Sequence, residues 1–279
     1  MFHLEKMEVH HFPFAVQLAN TMNWNMTPAD FEFMKKLEPE GCFVLFYELN
    51  PIGIATSISF GEVGWLGNLV IKENFRREGA GKIMINHIIS YLKNKGAKTI
   101  GLYAYKHLVD FYKNFGFEPD IDFAVLRGKV KAFSPQIRLK EATNNDFSEI
   151  IDFDKQCFRG NRQKLLEAIL FDLRNMCYFS SENSKITGYI TAKLHSKNAE
   201  IGPLICNLNR KKEAAFLLEN ILSRLNGVEV FIYLPKKEAE LINMLYTAGL
   251  REDFPVVRMI LGSAIPDNCI YTAESLERG

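Results

Sequence analysis

The chain repeats itself at a nearly constant spacing, and this constrains its fold more than any local pattern does. Gly53 recurs as Gly188, and Gly67 with Leu69-Val70 recurs as Gly202 with Leu204-Ile205, each 135 residues on. Phe43-Val44-Leu45 is echoed by Tyr178-Phe179 at the same offset, and Gly116-Phe117 by Gly249-Leu250 at an offset of 133. Four ordered matches with so little drift imply two homologous units. A chain of 279 residues has room for two domains of ordinary size, and 47% hydrophobic against 24% charged residues gives each a core of its own. The basic stretch Arg127-Gly128-Lys129-Val130-Lys131-Ala132 marks the join, which sets units of 1–132 and 133–279.

Within the first unit, Thr27-Pro28-Ala29-Asp30 reads as an N-cap, a proline at the first helical position and an acid two residues later, opening a helix through Phe31, Met34 and Leu37. Strands follow at Phe43 to Tyr47, Ile52 to Phe60 and Trp65 to Ile71, with turns expected at Asn50-Pro51 and Gly61 to Gly64. After residue 81 the apolar period changes. Ile85, Ile88, Ile89 and Leu92 share one helical face, and Gly96 ends that helix. A strand over Thr99 to Ala104, a helix carrying Leu108, Phe111, Tyr112 and Phe115, and a strand around Phe123 to Leu126 complete the unit. The order predicts an α/β (α+β) fold with a mixed sheet flanked by helices.

A strand ending at Ile71, then two arginines and two close glycines, then a helix from Lys82 make an anion site. Glycines admit a ligand to the backbone N–H groups, and the helix N-terminus adds positive potential. The spacing matches neither G-x-x-x-x-G-K-[ST] nor G-x-G-x-x-G. The string Leu69 to Gly81, with Arg76-Arg77-Glu78-Gly79-Ala80-Gly81 at its end, resembles the R-x-x-G-x-G motif of the GNAT superfamily of N-acyltransferases. Phe111-Tyr112-Lys113-Asn114-Phe115-Gly116-Phe117 resembles that family's F-Y-x-x-x-G-F element.

The resemblance implies a splayed sheet whose opening holds the pantetheine arm of acetyl-CoA. Backbone groups of Arg77 through Lys82 would bind the pyrophosphate, with charge-assisted contacts from the Arg76 and Arg77 side chains. Leu69, Val70 and Ile71 would pair with the arm, and a backbone N–H there would polarise the thioester carbonyl. Direct attack by an amine needs no covalent intermediate. Tyr112 stands where the family places the acid that protonates the departing thiolate. Glu62, in the turn before the third strand, is the general-base candidate, with a solvated turn acid as its bland reading.

Projected onto the second unit, the loop is lost: Lys211-Lys212 fall at the arginines, but Ala214 replaces Gly79 and Phe216 replaces Gly81. Leu245 falls where Tyr112 projects. This unit resembles the degenerate C-terminal domain of tandem GNAT proteins. Its polar set Asp154, Asn161, Arg162 and Arg258 reads either as an acceptor-shaping site, with Asp154, Arg162 and Arg258 touching substrate, or as buried ion pairing.

The formal charge of +1 gives no electrostatic reason to expect nucleic acid or an anionic membrane as a partner. Five widely spaced cysteines without a C-x-x-C pair point to reduced thiols, no metal and a cytoplasmic protein; neither a signal peptide nor a membrane span is expected. The expected activity is acetyl transfer from acetyl-CoA to a primary amine of a small molecule. A non-catalytic acyl-CoA sensor and a protein N-acetyltransferase are the alternatives. Oligomeric state, acyl-chain preference and acceptor identity are not readable from the sequence.

Overall fold

The computed structural model describes residues 1–132, 134–207, 210–265 and 269–279, with only the backbone of Ile270. The first half runs β1 (Phe2–Lys6), α1 (Phe12–Asn20), α2 (Pro28–Leu37), β2 (Cys42–Tyr47), β3 (Asn50–Ser59), β4 (Val63–Ile71), α3 (Ala80–Asn94), β5 (Thr99–Tyr105), α4 (Val109–Lys113) and β6 (Glu118–Lys129). From α1 onward the second half repeats this order with α5 (Phe147–Phe158), α6 (Gln163–Leu170), β7 (Met176–Glu182), β8 (Lys185–Leu194), β9 (Asn198–Cys206), α7 (Lys211–Arg224), β10 (Glu229–Pro235), α8 (Ala239–Thr247) and β11 (Arg251–Gly262). A further strand, β12 (Ile270–Thr272), has no counterpart in the first half.

Local chemistry explains most of these elements. Thr27 and Asp30 form the anticipated capping box at the start of α2, with the Thr27 N–H donating to Asp30 at 2.7 Å. Helix α3 buries Met84, Ile85, Ile88 and Leu92 along one face and stops at Gly96, whose φ of +96° suits glycine. The β2–β3 turn falls at Glu48-Leu49 instead of Asn50-Pro51. Glu48 takes the left-handed conformation at φ +55°, and Pro51 sits in β3 beside a register shift. Strand β1 escaped the sequence reading because it is an edge strand rich in His, Glu and Lys, with little apolar alternation to betray it.

Among the described residues, twelve strands join one sheet in the order β1-β2-β3-β4-β5-β11-β6-β10-β9-β8-β7, with β12 added to β9. The two halves exchange their last strands. β11, from the second half, pairs antiparallel with β5 of the first, from Val256 opposite Tyr105 to Gly262 opposite Thr99. β6, from the first half, pairs antiparallel with β10 of the second, from Glu229 opposite Lys129 to Pro235 opposite Phe123. The exchanged strands also pair with each other, with Val256 opposite Phe123.

The cores follow the same logic. One buried cluster lies between α3, α4 and the first half of the sheet, and its counterpart lies under α7 and α8 in the second. A third cluster is shared: Phe12, Phe31 and Met34 of α1 and α2 join Phe158, Leu165 and Leu166 of α5 and α6 in a single apolar mass. Phe60 meets Phe158 edge to face at 5.6 Å across the join.

A strand that completes the neighbouring half's sheet ties both halves into one cooperative unit. The full chain is expected to melt in a single calorimetric transition. A fragment ending at residue 132 leaves the β5 edge without β11 and should be unfolded or self-associated. A monomeric 1–132 fragment with its own sharp transition would contradict this.

Candidate functional site

The opening in the first half begins where β4 and β5 part. These strands pair in parallel only at Val63 with Thr99, Gly64 with Ile100 and Trp65 with Gly101. Beyond that point β4 carries a bulge: its register against β3 shifts between Ile54 opposite Val70 and Thr56 opposite Gly67, and Asn68 takes φ +50°. A bulge bends its strand and breaks the ladder. Among the described residues no strand covers the β5-facing edge of Leu69, Val70 and Ile71, so that edge can accept an extended chain.

At the wide end of the opening the chain passes from β4 to α3 through Arg76 to Gly79. Arg77 (φ +68°) and Gly79 (φ +84°) are both left-handed. No side chain caps α3, so the N–H groups of its first turn lack intrahelical partners. Nothing lies within 4 Å of where a side chain on Gly79 would begin. Gly81 approaches Phe111 of α4 so closely that a methyl group there would sit 3.1 Å from its ring. Arg77, Glu78 and Lys82 are exposed, and Ala80 is buried. Arg76 differs from the expectation, because its Nε donates to the Ile71 carbonyl at 3.0 Å and so braces the loop against the strand end.

Tyr112 projects from α4 into the first half's core, its ring against Phe111 and Phe117 at 5.3 and 6.1 Å. Burial pushes its phenol above the usual value. Its hydroxyl makes no hydrogen bond among the described residues.

The equivalent opening in the second half is closed. β9 and β10 pair from Asn198 opposite Glu229 to Ile201 opposite Ile232, and then β12 takes the free edge of β9. The Leu204 N–H donates to Thr272 Oγ1 at 2.7 Å, the Cys206 N–H to the Cys269 carbonyl at 2.9 Å, and the Ala273 N–H reaches across to the Tyr233 carbonyl of β10 at 2.9 Å. Where the first half has an open loop, α7 is already wound at Lys211, with the Ala214 N–H bonded to the Arg210 carbonyl at 3.1 Å. Arg210 is paired with Glu182 and Glu213, and Glu213 itself occupies the first turn of α7, accepting from Thr187 at 2.8 Å. The protein's own carboxylate therefore meets the helix N-terminus.

Both halves match models of known domains: residues 10–117 match the acetyltransferase (GNAT) family, and residues 150–271 an acetyltransferase (GNAT) domain. The chain is a tandem of two GNAT domains. Its relatives include an uncharacterised N-acetyltransferase of Gracilaria tenuistipitata, 33% identical over 38% of this chain and 61% of the relative. Another, from Methanocaldococcus jannaschii, is 29% identical over 32% of this chain and 43% of the relative. The match thus spans less than two thirds of either of these relatives. A third, from Bacillus subtilis, is 22% identical over 70% of this chain and 68% of its own.

The fold of the whole chain is shared with a Pyrococcus horikoshii protein assigned as an acetyltransferase, at a TM-score of 0.79 and 19% identity, covering 100% of this chain and 96% of that one. It is also shared with a tandem GNAT protein from the clavulanic acid biosynthesis pathway, at a TM-score of 0.65 and 10% identity, covering 96% and 100%.

Three expectations are corrected by the position of the residues. Glu62 lies at the opposite end of β4 from the GNAT loop, about 30 Å from Ile71 at a strand rise of ~3.3 Å per residue. Its side chain is 65% exposed and paired with Lys98, while its carbonyl accepts the Lys98 and Thr99 N–H groups at the start of β5. Asp154 and Arg162 are sealed from any substrate. Arg162 donates to both Asp154 oxygens at 2.6 and 3.1 Å and to the Gly279 carbonyl at 3.1 Å, and Tyr189 donates to Asp154 at 2.8 Å. Arg258 is buried on the exchanged strand β11, bonded to Asp120 at 2.6 Å over the Phe123 ring. Arg258 ties the two GNAT domains together through Asp120, whereas Asp154 and Arg162 bond residues of the second domain and hold Gly279.

What the sequence reading missed is the segment from Ala273 to Gly279. It leaves the second opening and crosses β4 of the first domain on the face carrying Trp65. The Trp65 indole N–H points to the Leu276 carbonyl at 3.4 Å, and Glu277 lies so close over Gly67 that a side chain there would collide with it. The segment is pinned by a buried charge network. Glu274 meets Lys193 and Arg278, Lys193 meets Glu200 at 2.5 Å, and Arg278 meets Glu277 at 2.6 Å. Gly67 was the one signal in the sequence, since a glycine inside a strand marks a close approach without naming its partner.

Burial opposes the charge on Glu274, yet Arg278 and Lys193 outweigh it and hold the carboxyl down to about 2. A carboxylate whose folded value lies below its unfolded value near 4.5 stabilises the fold above that pH and loses the contribution as pH falls toward 2. Glu274→Gln should therefore cost about 3 kcal/mol at pH 7, because two cations lose a buried partner. The difference from wild type should shrink between pH 4.5 and 2 in urea titrations.

Proposed function

We propose that the first domain transfers an acetyl group from acetyl-CoA to a primary amine of a small molecule, and that the second domain is a non-catalytic acceptor platform. The observation that carries this reading is the pairing of an uncovered β4 edge with an uncapped α3 N-terminus at one end of the same opening. In it, the backbone of Arg77 through Lys82 and the Arg77 side chain hold the pyrophosphate. Leu69 to Ile71 pair with the pantetheine arm, and a backbone N–H beside the Asn68 bulge faces the thioester oxygen. Acetyl-CoA supplies the activated acyl group as co-substrate. Tyr112 offers its hydroxyl to the sulfur as the carbon–sulfur bond breaks.

Burial of the Trp65 face by Ala273 to Gly279 favours a compact acceptor over an extended peptide. Cytoplasmic residence fits five free thiols, of which Cys42, Cys157, Cys177 and Cys206 are buried. Among the described residues no helix is long and apolar enough to cross a membrane.

Calorimetry should give about one acetyl-CoA per chain, unchanged by Lys211→Ala with Lys212→Ala; a wild-type stoichiometry near two would overturn the assignment of the second domain. Gly79→Glu puts a carboxylate into the anion site and should weaken acetyl-CoA at least a hundredfold. Gly79→Asn, which tolerates positive φ better, should bind more tightly than the Glu variant at equal thermal stability. Incubating acetyl-CoA with a panel of primary amines and following thiol release tests the activity itself. Release that no amine accelerates, with CoA bound, would favour an acyl-CoA sensor.

Tyr112→Phe keeps the ring packing and removes only the hydroxyl. The chemical step should slow about a hundredfold in single-turnover assays while the Kd for CoA stays within twofold. Loss of affinity instead would make Tyr112 a packing residue.

A further inference from the structure

We propose that Glu277, carried by the second domain onto β4 of the first, is the carboxylate that binds and deprotonates the acceptor, and that the acceptor is a primary amine on a flat apolar body. The inference rests on the acyltransfer reading above and assigns the acceptor half of that site.

Position is the first ground. An arm running from the Arg76–Gly79 loop along the free edge of β4 carries its thioester toward the vertex, where β4 and β5 part after Trp65 and Gly101. From Ile71 to Gly67 is four residues, about 13 Å of strand. Glu277 lies directly over Gly67, one residue before the Asn68 bulge. Only a glycine leaves room for it there. The second domain thus seats the backbone and Cβ of Glu277 against β4 next to the vertex of the first domain's opening, a place the corrected Glu62 does not reach.

Environment is the second ground. The Glu277 side chain keeps 19% of its surface exposed, so it is accessible, unlike Glu274 of the same segment at 0%. Glu277 is bonded to Arg278 at 2.6 Å and faces Lys193 of β8, Glu200 of β9, Glu274 and the Tyr233 phenol of β10. Burial raises its proton affinity above that of an ordinary glutamate, while Arg278 and Lys193 pull the other way. A carboxylate so placed accepts a proton more readily than an exposed one.

The walls supply the third ground. Tyr103 packs against Trp65 at 5.2 Å and Tyr105 against Phe254 at 5.3 Å, and the Trp24 indole donates to the Tyr105 hydroxyl at 2.9 Å. Trp24, Tyr103, Tyr105, Phe254 and Leu276 are half-buried, Trp65 is buried beneath the 273–279 segment, and Tyr103 and Tyr105 continue along β5 from the vertex on the Trp65 face. Half-buried aromatic faces near one carboxylate suit an ammonium group on an apolar body.

In the reaction, one proton of R–NH3+ passes to the Glu277 carboxylate. The neutral nitrogen then attacks the thioester carbon, forming the C–N bond. The C–S bond breaks and sulfur takes a proton from Tyr112. The second excess proton on nitrogen restores Tyr112 through solvent, and Glu277 releases its proton to water. The sum is amide, free CoA and one proton.

The test uses the full chain, acetyl-CoA and 2-phenylethylamine. In Glu277→Gln, kcat/KM for the amine should fall at least a hundredfold, with acetyl-CoA affinity within twofold of wild type. The acid limb of the pH–rate profile should lose one proton of slope. Glu277→Asp keeps the charge opposite Arg278 but withdraws the carboxylate by about one methylene. It should lose at least tenfold and decides the matter if the Gln variant does not fold.

More than a third of wild-type activity in either folded variant overturns the proposal, because an ion-pair role alone would leave turnover and its pH profile in place. Acetylation of putrescine but not of 2-phenylethylamine overturns the acceptor class. Failure to bind acetyl-CoA at all counts against the acyltransfer reading itself.

Discussion

Strands β6 and β11 lie side by side, antiparallel, each inserted between strands of the opposite half, and the rest of the structure depends on this pairing. It converts two sheets into one and removes two edges that would otherwise stand open. It also fixes how the halves face each other, because the register of Val256 against Phe123 leaves little freedom to rotate one half on the other. The shared apolar mass of α1, α2, α5 and α6 then forms on one side of this sheet as a consequence.

Once the halves are locked, their two openings have different fates. The second is filled from within, since β12 takes the edge of β9 and Ala273 reaches β10. A site that already satisfies its backbone groups with its own chain has nothing to gain from an external strand-like ligand. The first opening has no such internal partner among the described residues, and its helix N-terminus is uncapped. The duplication thus yields one exposed and one self-satisfied copy of the same architecture. The segment that closes one copy goes on to furnish a wall of the other.

Charge holds that segment in place. Lys193, Glu200, Glu274, Glu277 and Arg278 come from β8, β9 and the segment itself, and Arg162 with Asp154 grips its far end. Buried ion networks of this kind cost desolvation and repay it only when geometry is satisfied throughout. They favour a single seating of the segment over many loose ones. Asp154 and Arg162 belong here, so of the two readings open for that polar set, buried ion pairing is the one their geometry fits.

The sequence by itself determined the duplication, the order of elements, and the loop from Arg76 to Lys82. Each of these is written locally: a glycine where φ is positive, a proline and a cap at a helix start, an apolar face at a helical period. It also foretold the loss of the second loop, because Ala214 and Phe216 stand where glycines would be needed.

Only the tertiary structure decided which strand completes which half, that β12 fills the second opening, that Glu62 lies at the wrong end of β4, and that Glu277 stands over Gly67. Exchange between homologous strands leaves every local pattern unchanged, since β6 and β11 suit either position equally in alternation and length. The choice is made by long-range pairing, and the distance between Gly67 and Glu277 along the chain is too great for any period or spacing to reveal.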